Sequence, residues 1–334
     1  MANRRSWKGC LFGCLGVAIG LMVLLGTLSY LLVKKGTYEA PATMLFPDTD
    51  FFVHSEIKRE DEQVLDFLVT QVGRMNQEQM SQFQKNIPFL GQDFQTKKTR
   101  KDIRKMLPIQ VELSGDLAEE DLIISVGFSI YNNMARLGFW FLKRAVQKDE
   151  NGIYREVNGK TYLKPEASDK YFLALENSVF YLAKTEESMQ RALNPGEEAV
   201  TREEVHPLLG QVNQESIFWG VARGPSLAKL FDSMLEEGSE PFPSTESGVR
   251  MGSSDFRAMA FDVDPISTEA MQVRLFCDVS PLDNAAVQAF EAFLEQWSAK
   301  TKVTVERQIE QTPDGLLVTL TVSNLERLSL EKEF

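Results

Sequence analysis

Ser226-Leu227-Ala228-Lys229 matches S-x-x-K, the pair in which a lysine helps a serine hydroxyl attack an acyl group. Enzymes built on that pair also need later S-x-N and K-T-G elements. Neither follows here, and Lys300-Thr301 continues into Lys302 where glycine is required. The simpler reading is that Ser226 supports a helix start beside Pro225 and that Lys229 lies on a solvated face. A serine hydrolase using Ser226 and Lys229 is therefore the least favoured function. The chain has only two histidines. His54 sits in a strand pattern between Val53 and Ser55, and His206 precedes Pro207 in a connector, so neither is assigned as a general base. No H-E-x-x-H, G-x-S-x-G or paired-cysteine metal spacing occurs beyond the uncharged run at 9–33. Asp48-Thr49-Asp50 and Asp262-Val263-Asp264 present carboxylates, but neither continues into the glycine-bearing loop with a distal glutamate that calcium needs. Cys277 alternates with Val273, Leu275 and Val279, the pattern of a buried small apolar residue. No catalytic residue, cofactor or metal site is assigned, and the chain reads as a non-enzyme.

Two stretches are candidates for binding. Lys97, Lys98, Arg100, Lys101, Arg104 and Lys105 concentrate positive charge on an acidic chain, suiting anionic headgroups or an acidic partner. The competing and simpler reading is a solvated helix face that balances nearby acids. Around Phe139, Trp140 and Phe141 a predicted helix is apolar nearly all round, so it is expected either between two layers or with one side on a groove for lipid or a partner helix.

The elements that would position these groups begin at the amino terminus. Residues 9–33 carry no charge, and 25 residues at about 1.5 Å each cross a hydrocarbon core of about 30 Å. The run is too long for a removable signal peptide, and Cys14 lies too near its start to be a lipoprotein acceptor. Arg4, Arg5 and Lys8 ahead of it favour a cytoplasmic tail at 1–8 and an extracytoplasmic remainder, in a bacterial periplasm or cell envelope. Gly9, Gly13, Gly16 and Gly20 share one face of this helix. Small residues there would let a second copy or a membrane-protein partner approach closely. All 48 acidic residues and 33 of the 36 basic ones follow the span, so nucleic acid is not an expected partner whereas the bilayer is. One cysteine beyond the span leaves no disulfide to stabilise a secreted domain, which must rely on a large core. No asparagine opens an N-x-[ST] acceptor, in keeping with a bacterial envelope.

After a tether at 34–44, two passages follow the same order of strand, helix, strand pair, helix, hairpin and helix. They delimit a first α+β half at 45–200 and a second at 201–334. In the first, residues 50–57 read as a strand, and Val64, Leu65, Leu68, Val72 and Met75 as a helix face. Asn158-Gly159 supplies the positive φ angles of a two-residue hairpin turn, and Thr185 caps a short helix through Leu193. In the second, Phe218-Trp219 opens a strand and Gly224-Pro225 a helix. Leu282, Ala286, Phe290, Phe293 and Trp297 line one side of a long helix, and a hairpin turns at Pro313-Asp314-Gly315. Residues 236–254, rich in Gly, Ser and Pro, read as a loop. The fold class is α+β: one amino-terminal transmembrane helix, then a duplicated ectodomain of antiparallel sheets with packed helices.

The stretches "LFPDTDFFVHSEI", "NIPFLGQDF…IRKMLPIQVELSG" and "KYFLALENSVFYLAKTEESMQRALN" resemble a bacterial, membrane-anchored, extracytoplasmic family of unknown function. The resemblance spans most of residues 42–334 and rests on apolar and turn patterns. It implies an extracytoplasmic place and a duplicated α+β fold, and no activity. The expectation is a single-pass anchored protein that acts by binding, as a scaffold or accessory subunit. A carrier of lipid or another apolar ligand is the alternative.

Overall fold

Strands alternate their side chains between two faces, and in this chain most alternations are apolar on both, which requires cover on both sides of a sheet. The computed structural model describes residues 44–74, 107–128, 132–166, 171–196, 199–234, 256–280, 284–313 and 315–325, together with Arg100, Lys101 and Arg104. Gly9, Gly13, Gly16, Gly20, the anchor at 9–33 and the loop at 236–254 lie outside them. Among the described residues no helix is long and apolar enough to cross a membrane.

The elements run β1 (Phe51–Ile57), α1 (Glu62–Arg74), β2 (Ile109–Asp116), β3 (Asp121–Phe128), α2 (Asn132–Val146), β4 (Ile153–Val157), β5 (Lys160–Lys164), β6 (Phe172–Glu176), β7 (Val179–Ala183) and α3 (Glu186–Leu193). They continue with α4 (Arg202–Val205), a 3₁₀ turn (Pro207–Gly210), β8 (Phe218–Arg223), α5 (Gly224–Met234), β9 (Phe256–Ser267), β10 (Ala270–Val279), α6 (Asn284–Thr301), β11 (Thr304–Thr312) and β12 (Gly315–Ser323). All the strands among the described residues form one 12-stranded sheet in the order β11-β12-β10-β9-β8-β1-β2-β3-β7-β6-β5-β4. Every pairing is antiparallel. Outward from the central β1–β8 pair, the order is β1-β2-β3-β7-β6 on one side and β8-β9-β10-β12-β11 on the other, with the β4–β5 hairpin added at one edge.

Local chemistry sets the turns. Asn158 and Gly159 take φ of 53° and 76°, so the β4–β5 turn has the two left-handed residues that match strand twist. Thr185 accepts the Ser188 N–H at 3.1 Å and starts α3. The β11–β12 hairpin closes through Gly315, at φ 144°, where a Cβ would sit 2.0 Å from the Cys277 carbonyl oxygen.

Among the described residues, four helices cover one face. Leu65 and Val69 of α1 pack with Ile57 and Ile109, and Leu227 of α5 packs with Phe51, Val53 and Ala222. Phe290, Phe293 and Leu294 of α6 join Met259, Val318 and Leu320, while α2 packs over β4 and β5. The opposite face is covered by α3, the 3₁₀ turn and the segment at Met44–Phe46. There Met189 and Leu193 bury against Ile123 and Tyr181, and Leu208 and Leu209 against Phe52 and Trp219.

The β1–β8 junction joins the two sides. Val53 faces Gly220, whose missing side chain leaves the space that a Cβ would need 2.2 Å from the Phe52 carbonyl oxygen. Arg223 closes one end, donating from Nε to Asp50 Oδ1 at 3.0 Å, from Nη1 to the Val205 carbonyl at 3.0 Å and from Nη2 to the Pro47 carbonyl at 2.8 Å. Gly220→Ala forces the central strands apart, so we expect a loss of about 2–3 kcal/mol, read as a lower urea midpoint with unchanged slope. An unchanged midpoint contradicts this packing.

Candidate functional site

Phe290, Phe293, Leu294 and Trp297 fall at i, i+3, i+4 and i+7, so α6 presents all four to the sheet beneath it. Opposite stand Met259 of β9, Met271, Val273 and Leu275 of β10, and Leu320 and Val322 of β12. Between them lies a cavity of about 180 Å³ whose ten lining residues are all apolar.

The helix is held at both ends. Phe256 and Phe290 meet in a tilted contact with centroids 5.9 Å apart, as do Phe290 and Phe293. At the other end the Ser298 hydroxyl donates to the Val303 carbonyl at 2.9 Å, and Lys302, in the left-handed region, donates its N–H to the Ser298 carbonyl at 2.9 Å. Propping by aromatic rings at one end and pinning at the other leaves the short side chains Val273 and Val322 unable to fill the gap. Met271, Val273, Leu275 and Trp297 are only half-buried, which puts the mouth of the cavity along β10.

With no polar side chain in its lining, this cavity can neither transfer a proton nor orient a polar substrate. What it can do is remove apolar surface from water, at about 25 cal/mol per Å² buried. An apolar cavity of about 150 Å³ stays dry and takes benzene, so this one has room for a six-carbon ring or the end of an alkyl chain. The thioethers of Met259 and Met271 adapt to either shape.

A second cluster lies on the other face. Successive cross-strand partners Tyr181, Ser125, Glu112, His54, Trp219, Asp262 and Arg274 form one row across seven strands. Within it, His54 Nδ1 and Glu112 Oε1 are 2.9 Å apart, the imidazole stacks on Trp219 at 4.9 Å, and Gln110 Nε2 donates to the same carboxylate oxygen at 3.2 Å. Asp262 is clamped by Arg274 Nε and Nη2 at 2.8 and 3.0 Å. Glu112 Oε2 and the Ser125 hydroxyl are buried without a hydrogen-bond partner. Glu112, fully buried, escaped the sequence reading, because nothing local distinguishes it from a strand-face glutamate until β1 is paired beside it.

The residues singled out from sequence are dispersed. Ser226 is fully buried; its hydroxyl accepts the Leu117 N–H at 2.9 Å and lies 3.3 Å from Asp116 Oδ1, tying α5 to the β2–β3 turn. Lys229 reaches the Ala118 carbonyl at 3.4 Å and Glu120 at 3.5 Å. Asp48 pairs with Arg191, whose guanidinium lowers its pKa, while burial pushes the Asp50 carboxyl up against the pull of Arg223. Asp264 accepts from Ser216 at 2.6 Å and from the Ile217 N–H at 3.2 Å. Among the described residues no group of three or more His, Cys, Asp or Glu is placed to hold a metal. Arg100 bridges Glu62 and Asp66, and Arg104 meets Glu62 at 2.8 Å, so these cations balance acids of α1. Lys101 is exposed, and Lys97, Lys98 and Lys105 lie outside the described residues.

The helix around Trp140 is not enclosed between layers as one reading of its sequence expected. Phe139 is half-buried on the sheet side of α2, whereas Leu137, Trp140 and Phe141 are exposed. Packing over β4 and β5 places α2 at the edge of the sheet, where among the described residues no second layer covers it. The apolar cavity therefore lies beside Trp297, away from Trp140.

No protein-family model matches this chain, and no curated protein or solved structure matches it either.

Two solution properties follow from burial. The Cys277 thiol, with no solvent around it, is pushed up to about 12, so iodoacetamide at pH 8 should leave the Cys277 peptide unmodified in the folded chain and modify it in urea. Modification under native conditions contradicts that burial. His206 Nδ1 accepts the Leu208 N–H at 3.2 Å at the start of the 3₁₀ turn, and burial lowers its pKa below the ordinary 6.5. The unfolded chain then takes the proton first, so this contribution to stability is complete above about pH 6.5 and declines as pH falls below it. His206→Asn keeps an acceptor at the cap and should flatten that decline; an equal decline in the variant contradicts the assignment.

Proposed function

We propose that this chain is a single-pass, amino-terminally anchored extracytoplasmic protein whose domain binds an apolar ligand, the alkyl part of a lipid, in the cavity beneath α6. The observation that carries the proposal is the lining itself: ten apolar residues around about 180 Å³ that open toward solvent along β10. A folded chain tends to fill such space, because each unfilled volume forfeits dispersion contacts, of the order of 24 cal/mol per Å³. A retained gap lined by two methionines and a tryptophan is consistent with an occupant. The anchor rests on the uncharged run at 9–33, and an extracytoplasmic place on the charges before it. Membrane lipid would then be the ligand source nearest to the domain.

The halves at 45–200 and 201–334 are proposed to be copies of one unit. Support comes from the matching strand orders on either side of β1–β8 and from that pairing itself. Phe51 opposite Ala222 and Phe218 opposite Ser55 are related by a two-fold axis through Val53 and Gly220. In the second half α6 covers the equivalent sheet surface. In the first, α2 sits farther out over β4–β5 and leaves Leu113, Ile124 and Leu182 half-buried.

The test is native mass spectrometry of the full-length protein, gently released from membranes. A retained, lipid-sized mass is expected in the wild type. Leu294→Trp, or Val273→Phe if the first variant is poorly folded, should fill the cavity and lower retention at least about tenfold. A bare wild-type protein that also fails to bind added fatty acid saturably contradicts the proposal.

A further inference from the structure

Helix α2 carries two unlike apolar faces. Phe139, Leu142 and Val146 turn toward β4 and β5, while Leu137, Trp140 and Phe141, at i, i+3 and i+4, are 39%, 42% and 59% exposed on the opposite side. A lone exposed leucine needs no explanation; three large apolar side chains in one stripe on a helix do. The charged residues of this helix have one sign. Its 15 residues include Arg136, Lys143 and Arg144 and no acid, in a chain of net charge −12.

The cations sit beside the stripe. The Arg144 guanidinium lies 4.0 Å from the Trp140 ring centroid, and Trp140 meets Phe141 edge-on at 4.9 Å. Lys143 lies over Tyr154 at 5.0 Å, and Arg136 donates to the Asn177 carbonyl at 3.3 Å. Tryptophan, phenylalanine and leucine flanked by arginine and lysine is the composition of a helix that lies in the headgroup region of a bilayer. Indole prefers that boundary, and anionic headgroups attract the adjoining cations.

Position agrees with this assignment. Met44, where the tether ends, packs with Tyr162 of β5, and α2 lies over β5 on the opposite face of the sheet. The 11 residues of the tether, 34–44, span about 40 Å at full extension. Chain entry and exposed stripe thus share one end of the sheet, within reach of the bilayer that the anchor would cross.

We infer that α2 docks on the surface of an anionic bilayer, inserting Leu137, Trp140 and Phe141 among the headgroups while Arg136 and Arg144 pair with lipid phosphates. The inference uses the proposed anchor for its reach and is independent of the cavity beneath α6.

The experiment places full-length protein in bilayers of phosphatidylcholine, with or without phosphatidylglycerol, containing lipids brominated high on the acyl chain. The Trp140 signal is the difference between wild type and Trp140→Phe. Strong quenching of that difference is expected in the phosphatidylglycerol bilayers. Arg136→Glu with Arg144→Glu, checked for folding by circular dichroism, should reduce it at least about tenfold. An unquenched Trp140 signal in anionic bilayers overturns the inference, and so does equal quenching in neutral ones. Carbonate extraction of the same samples reports the anchor separately. Quenching upholds the docking of α2 whether or not carbonate releases the chain, and its absence overturns the docking in either case.

Discussion

The antiparallel pairing of β1 with β8 is the constraint on which the molecule depends. These strands lie more than 160 residues apart in sequence, yet their hydrogen bonds merge two five-stranded arrangements and an added hairpin into one sheet. Loop closure over such a distance is costly, so the junction needs strong local compensation. It has Trp219 in contact with Phe52 and stacked on His54 on one face, Gly220 admitting the neighbouring backbone, and Arg223 joining Asp50, Val205 and Pro47. Every helix on the covered face takes its place relative to this line, and so does the cavity beneath α6.

The two faces solve burial differently. On the helical face the core is almost wholly apolar, and its one cysteine behaves as a small hydrophobe. The other face contains the polar row from Tyr181 to Arg274. There the buried carboxylates of Glu112 and Asp262 each meet a nitrogen donor on the next strand, His54 or Arg274, since a buried carboxylate left without a partner would cost several kcal/mol. Direct cross-strand placement suits such pairs, because facing Cβ atoms are only about 5 Å apart. Polar pairing thus fixes register: shifting β2 by one residue against β1 would turn Glu112 to the other face and leave His54 beside an apolar core.

Much of the fold was legible in the sequence, because it was written in short-range signals. Asn158-Gly159, Thr185, Gly224-Pro225 and the alternating apolar runs each fix local backbone geometry, and their elements match the structure to within a few residues. Less legible was what depends on distant partners. Nothing in "DFFVHSEI" announces that β8 will lie beside it, and nothing in "IQVELSG" that its glutamate will be buried against a histidine. The apolar side of α6 was visible as Phe290, Phe293 and Trp297, but the cavity exists only because of the valines and methionines of β9, β10 and β12 opposite. For α2 the pattern was ambiguous in principle. A helix apolar on two sides fits equally between two layers or at the edge of one, and the added β4–β5 hairpin decides for the edge.

The proposed binding of an apolar ligand beneath α6 rests on the cavity there. The most direct measurement is a methyl NMR titration of the protein, labelled at its methionines, with a short saturated fatty acid. The account predicts that the Met259 and Met271 methyl signals move together and saturate, while methionines away from α6 stay in place. Met259 and Met271 signals that remain unmoved through the titration would contradict it.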